Sequence, residues 1–234
     1  MSSWPDMKID LCTRLQPQPL PPSRFVFPDP RGASPSGFVA AGGDLAPETI
    51  VAAYRAGLFP WPHDGVDTLW WSPDPRAILV PERFHVSRRL ARRVRQQRFR
   101  ITVDAAFGKV IAACAIRPEG TWITPGIMRA YLRLHSLGWA HSFEVWNPEG
   151  RLVGGLYGLF VDGLFGAESM FHRASDASKI ALLALCQHAP RSGIELIDVQ
   201  LETPHLASLG SQAIPRERYL ELLLRARASG QPNQ

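Results

Sequence analysis

Val161–Leu201, VDGLFGAESMFHRASDASKIALLALCQHAPRSGIELIDVQL, reads as strand, helix, strand. The strands are predicted over Leu164–Phe171 and Ile194–Leu201, and the helix over Ala177–His188 with Ser175 or Asp176 as its cap. Both strands carry polar residues where apolar ones are expected. Glu168 interrupts the first, and Asp198 and Gln200 interrupt the second. Residues two apart on a strand point the same way, so Asp198 and Gln200 are expected on one face, Ile197 and Val199 on the other. A carboxylate inside a sheet costs several kcal/mol unless it is partnered. Such a residue points to a working site or to a structural pair.

Upstream, strands are predicted over Ala140–Trp146 and Arg151–Leu159, joined by the Asn147-Pro148-Glu149-Gly150 turn, with Asp162-Gly163 as a second hairpin signal. Phe99–Val103 reads as a further strand. Helices are predicted over Pro47–Ala56, over Phe84–Gln97 with Ser87 as cap, over Asp104–Ala115 capped by Asp104, from Thr124-Pro125 to Gly138, and over Pro215–Arg227. Hairpins followed by strand–helix–strand give an α+β class, a mixed sheet flanked by helices. The first third is rich in proline, glycine and tryptophan, which suggests a small N-terminal domain over residues 1–75 and a larger one over 76–234.

The chain has 234 residues, enough for a full core, and its 20% charged content argues against disorder. It has no apolar run long enough to span a membrane and no secretory pattern at its start. Three widely spaced cysteines (Cys12, Cys114, Cys186) fit a reducing cytoplasm and form no disulfide framework or zinc site, with Cys186 expected as a core thiol. No metal-ligand spacing, nucleophile elbow or phosphate loop is present. Net charge is +5. Its distribution matters more: Arg83 to Arg100 holds eight arginines and no acid. Unbroken like charge on a helix repels itself, so contact with nucleic acid is favoured over a merely solvated face.

Asp198 is a candidate proton acceptor, and Gln200 can only donate or accept hydrogen bonds. Two readings of Glu168 are open: it binds a cationic substrate group, or it bridges to a buried arginine such as Arg173. Trp61 and Trp122 lie in short proline-bounded loops, FPWP and GTWITP, where a ring can stack on a nucleobase or pin an interdomain seam.

Ten ordered strings resemble one family: GFVAAGGDLAPETIVAAYRAGLFPW, WWSPDPRAIL, FHVSRRL, GTWITP, AYLRLHSLGWAHSFEVW, LVGGLYG, ESMF, DASKIALL, ELIDVQ and HLASLG. They are similar to the leucyl/phenylalanyl-tRNA–protein transferases from about Phe27 to Tyr219. The resemblance implies a small N-terminal domain on a GNAT-like acyltransferase domain. It also implies a cytoplasmic bacterial monomer without metal, coenzyme A or other cofactor. The implied reaction moves Leu or Phe, less readily Met, from aminoacyl-tRNA to the N-terminal Arg or Lys of a protein, marking it for N-degron degradation. It assigns Asp198 and Gln200 to a proton relay and Glu168 to the substrate amine. Trp61 and Trp122 take the 3′-terminal adenosine, and Phe165, Met170, Leu182, Leu185 and Ile197 take the transferred side chain. Arg88, Arg89, Arg92 and Arg93 resemble the cluster that follows the acceptor stem. Ala167 stands where the family usually has Gly, and Leu185 and Ala189 are smaller than the aromatics of some members. A coenzyme A acetyltransferase would need a glycine-bearing phosphate loop where Arg173–Ser178 stands, with Asp176 at the pyrophosphate position. A bare RNA-binding module would leave Glu168 and the Asp198–Gln200 pair unused.

Overall fold

The structure is a computed structural model that describes residues 4–5, 7–11, 17–61, 67–118 and 120–230. Cys12 and part of the proline-rich loop before Trp70 lie outside the described residues. The strands are β1 (Ile9–Leu11), β2 (Phe38–Ala41), β3 (Phe59–Pro60), β4 (Leu69–Trp71), β5 (Arg76–Leu79), β6 (Arg100–Val103), β7 (Ala140–Trp146), β8 (Leu152–Val161), β9 (Leu164–His172), β10 (Leu196–Gln200) and β11 (Gln212–Ile214). The helices are α1 (Pro47–Arg55), α2 (Arg88–Arg95), α3 (Phe107–Ala115), α4 (Pro125–Ser136), α5 (Ala177–Ser192), α6 (Pro204–Ala207) and α7 (Arg216–Gly230).

The fold is α+β, as the hairpin and strand–helix–strand pattern implies. Eight strands form one mixed sheet in the order β1-β6-β7-β8-β9-β10-β5-β11, and β2-β4-β3 form a second, smaller one. Within the large sheet, β1–β6 and β9–β10 pair parallel. β1 comes from the N-terminal segment yet joins the large sheet beside β6. Alternate residues of β9 and β10 feed two cores. Leu164 and Leu196 face a core built with α1, α3, α4 and α7, and Phe165 and Ile197 face one built with α2 and α5. Cys186 is fully buried in the second core. Among the described residues no helix is long and apolar enough to cross a membrane.

Ser87 caps α2 by accepting from the Leu90 N–H, and Thr124 caps α4 by accepting from Ile127. Two expected caps are corrected. Asp104 has φ +61° and turns its carboxylate to the Ser142 N–H and His141. The α3 start is instead served by Glu144 of β7, which accepts from the Ala105 and Ala106 N–H groups at 3.3 and 3.2 Å. Glu144 is fully buried, and burial raises its pKa against the hydrogen bonds from Ser142, Thr102 and these amides. Asp176 precedes α5 but makes no capping bond; its carboxylate pairs with Lys179 and Arg89. α5 runs past His188 to Ser192, where Gly193 at φ +71° ends it.

Candidate active site

β9 and β10 pair only through Leu196–Leu164, Ile197–Phe165 and Asp198–Gly166. Beyond this they part, and each carries a bulge at that point. On β9, Tyr157 of β8 pairs with Ser169 and Gly158 with Ala167, so Glu168 is the extra residue. On β10, Asp198 pairs with Ile78 and Gln200 with Ala77, so Val199 is the extra residue. Gln200 takes φ +58° to accommodate it. A bulge re-aims side chains, and bulges are over-represented beside active sites. The strict alternation expected for Asp198 and Gln200 therefore fails at Val199. Asp198 is fully buried, whereas Gln200 is partly open to solvent.

At the parting lies a cleft of about 160 Å³, lined by Phe59, Pro60, Trp61, Trp122, Glu168 and Val199–Leu201. It brings together four residues singled out from the sequence: Trp61, Trp122, Glu168 and Gln200. With its amide oriented to donate, Gln200 bonds the Val199 and Ala167 carbonyls at 3.0 and 3.1 Å. This bridges the two strands through the amide nitrogen and leaves Oε1 as the acceptor of the side chain. Ala167 thus supplies a carbonyl that holds Gln200.

Glu168 accepts a short hydrogen bond from the Tyr54 hydroxyl, which lies 3.4 Å from that of Tyr131. Burial pushes the Glu168 carboxyl up to about 8, with Asp198 adding to the rise while the Tyr54 and Tyr131 hydroxyls and Arg76 oppose it. Its partner is not Arg173. That residue is exposed, with its guanidinium over Phe171 and one nitrogen on the Leu152 carbonyl. Helical spacing puts Tyr54 on the buried face of α1, but only the fold shows that its hydroxyl reaches a carboxylate on β9.

Asp198 lies behind the cleft rather than in its lining. Arg76, fully buried at the start of β5, donates Nε to Oδ1 at 2.9 Å and Nη2 to Oδ2 at 2.6 Å. The Tyr219 hydroxyl adds a bond at 3.0 Å. Oδ1 also accepts from the Gln200 backbone N–H at 3.0 Å. Arg76 donates to the Gly57 carbonyl at 3.2 Å, and its guanidinium lies between the Phe59 and Tyr219 rings, 4.8 and 4.4 Å from their centroids. Sequence reasoning missed Arg76. The signal was an arginine opening the apolar run RAIL, the same kind of anomaly that drew notice to Asp198.

Phe165, Leu182, Leu185 and Ile197 come together in the second core, each at most 2% exposed, and Met170 packs against that cluster half-buried. They do not line the cleft. Arg88, Arg89 and Arg92 are exposed on α2 and Arg93 is partly so, while Leu90 and Val94 anchor the helix in the core. Arg89 is engaged by Asp176 at 3.2 Å.

The family model described as leucyl/phenylalanyl-tRNA protein transferase matches residues 78–224, and that of its N-terminal domain matches 43–74. A leucyl/phenylalanyl-tRNA–protein transferase of Edwardsiella ictaluri is 53% identical over 205 residues, covering 86% of this chain and 84% of its own length. One from Escherichia coli O81 is 51% identical over 212 residues, covering 89% and 90%. Among solved structures, a conserved protein of unknown function from Bacteroides thetaiotaomicron aligns at 15% identity and a TM-score of 0.41, over 69% of this chain and 57% of that one. The chain belongs to the leucyl/phenylalanyl-tRNA–protein transferases, aminoacyltransferases that move leucine or phenylalanine from aminoacyl-tRNA to protein.

Proposed function

We propose that the cleft where β9 and β10 part catalyses direct aminolysis of the aminoacyl ester by the α-amine of an acceptor protein. The observation that carries this is the meeting of Trp61, Trp122, Glu168 and Gln200 around one opening, with the Arg76–Asp198 pair behind it. The ester is already activated, so the enzyme chiefly positions and desolvates. The two tryptophans hold the 3′-terminal adenosine. Gln200 Oε1 accepts a hydrogen bond from the attacking amine. Asp198 fixes Gln200 through its backbone N–H. Every Asp198 oxygen is engaged by Arg76, Tyr219 or Gln200, which supports a positioning role over direct proton acceptance.

Glu168 suits the proton transfer. Its carboxyl at about 8 matches an ordinary α-amine near 7.7–8.0, so a proton passes from the acceptor's ammonium to the carboxylate at little cost. The freed amine attacks the ester carbonyl, the new C–N bond forms, and the C–O bond to the ribose breaks. The excess proton on the attacking nitrogen passes to the departing ribose oxygen, Glu168 releases the proton it took to solvent, and no covalent enzyme intermediate forms. Tyr54→Phe removes a hydroxyl that opposes the rise at Glu168. Its pH–rate profile should therefore shift to the alkaline side, and an unshifted profile contradicts the assignment.

The transferred Leu, Phe or, less readily, Met side chain reaches the apolar cluster of Phe165, Met170, Leu182, Leu185 and Ile197 by displacing its packing, with Met170, the half-buried member, at its edge. A polar side chain would be stranded there without a partner. The α2 arginines Arg88, Arg89, Arg92 and Arg93 contact the acceptor stem. The protein acts as a cytoplasmic monomer on N-terminal Arg or Lys, and the product feeds N-degron degradation. Trp122→Ala should weaken Leu-tRNA binding by about 1–3 kcal/mol, the worth of one stacked base, read as a raised KM. In a transfer assay with labelled Leu-tRNA, peptides beginning with Arg or Lys should be labelled and one beginning with Ala should not. Equal labelling of all three contradicts the acceptor rule.

A further inference from the structure

A second, larger cleft of about 290 Å³ opens between β1, β6 and the C-terminal end of α2. Its apolar floor includes Val94, Phe99 and Ile180, and its rim carries Lys8, Arg93, Arg98 and Arg100, with Asp10 as the one acid in its lining. Lys8, Arg98 and Arg100 are exposed. Among the described residues, Lys8, Arg93 and Arg98 have no carboxylate within ion-pair distance. Four cations around a hollow that holds one acid repel one another, and a polyanion relieves that repulsion.

Strand register relates this cleft to the transfer cleft. Arg100 pairs with Trp146 and Trp146 with Leu152, while Gly154 on β8 pairs with His172 at the end of β9. The start of β6 and the end of β9 therefore lie at one edge of the sheet, toward which β9 and β10 part. Four strand spacings of ~4.8 Å separate β6 from β10, roughly 19 Å across the sheet. Between the clefts the edge exposes Arg151 and Arg173.

We propose that the β1–β6–α2 cleft is a second RNA-contact site, which takes a phosphate–ribose unit of the acceptor arm whose 3′ end lies in the transfer cleft. The cationic rim binds the phosphate, and the apolar floor receives the sugar or an unstacked base. The site rests on the reading that the 3′-terminal adenosine sits between Trp61 and Trp122. It extends RNA contact from α2 onto the N-terminal strand, through Lys8.

The test reverses two exposed rim charges, Lys8→Glu with Arg98→Glu, beside a neutral pair, Lys8→Gln with Arg98→Gln. Filter binding of Leu-tRNA across a salt series is the primary readout. Charge reversal should weaken binding about tenfold at moderate salt, and the neutral pair less. The log–log salt slope should fall by about 0.7–0.9 as that phosphate contact is lost. Transfer from leucyl-adenosine, which fills only the transfer cleft, should match wild type and so report an intact fold. Unchanged affinity and slope for Leu-tRNA overturn the site. So does reversal that impairs transfer to an acidic acceptor protein while tRNA binding holds, because the cleft then serves the acceptor. If wild type fails to use leucyl-adenosine while reversal still weakens tRNA binding, the second site stands and the transfer-cleft reading fails.

Discussion

Arg76→Met is expected to cost about 3–5 kcal/mol of stability and to abolish measurable transfer. Both side chains of the Arg76–Asp198 pair are fully buried, so removing the guanidinium strands a carboxylate that keeps only the Tyr219 hydroxyl and the Gln200 N–H. Gly57 also loses a donor to its carbonyl. Replacing both charges by apolar residues, as in Arg76→Met with Asp198→Leu, should recover most of the stability, because an uncompensated charge is what costs so much. Transfer should not recover, since the Gln200 backbone N–H then lacks the acceptor that holds its φ of +58°. Urea unfolding and a transfer assay on both variants separate the two effects. An Arg76→Met protein as stable as wild type, or a double variant that transfers normally, contradicts the assignment. Asp198→Ala alone leaves Arg76 unpaired, so its loss of transfer has meaning only beside a stability measurement.

Glu168→Gln should lower kcat by about 10²–10³-fold, within the range for losing a positioned acid–base group. The wild-type rate should rise from pH 6 to 8 as the carboxyl ionises, and the variant should lose the part of that limb due to Glu168. Stability should respond in the opposite sense. The folded carboxyl holds its proton to about 8, whereas the ordinary value is 4.5. The folded state binds more protons between those values, so its advantage is complete below about 4.5 and fades as pH rises through 8. Wild type should lose on the order of 2 kcal/mol over that window, a figure reduced for the partial exposure of Glu168. Glu168→Gln, which cannot ionise, should show a flatter curve. Parallel stability curves, or a variant with wild-type kcat, contradict the role.

Periodicity made the main helices and the central strands legible, because each buries one face and its apolar spacing records which. The short strands β1–β5 and β11 were not legible, since runs of two to four residues are too short for a period to mark them off from their proline- and turn-rich surroundings. Glu168, Asp198 and Gln200 stood out as polar residues in apolar strands, and the fold brings all three to the point where β9 and β10 part. Their relative orientation was not legible, because one bulged residue on each strand breaks the period of two on which the inference rests. Partners distant in sequence were also beyond reach. Arg76 meets Asp198 across 122 positions, and Tyr54 meets Glu168 across 114. The Asp104 cap failed for the same reason: Glu144, 38 positions from Ala106, takes the amides that a local rule gave to Asp104.

The central claim is that transfer occurs in one step at the parting of β9 and β10, with Gln200 holding the amine. Single-turnover transfer from labelled Leu-tRNA to an Arg-starting peptide, with wild type and Gln200→Ala at saturating tRNA, tests it most directly. The rate should fall about 10²-fold in the variant, with the affinity for Leu-tRNA within about twofold of wild type and no label trapped on the enzyme at any time point. Wild-type transfer by Gln200→Ala, or a leucyl-enzyme species that forms and decays with the reaction, would contradict the account.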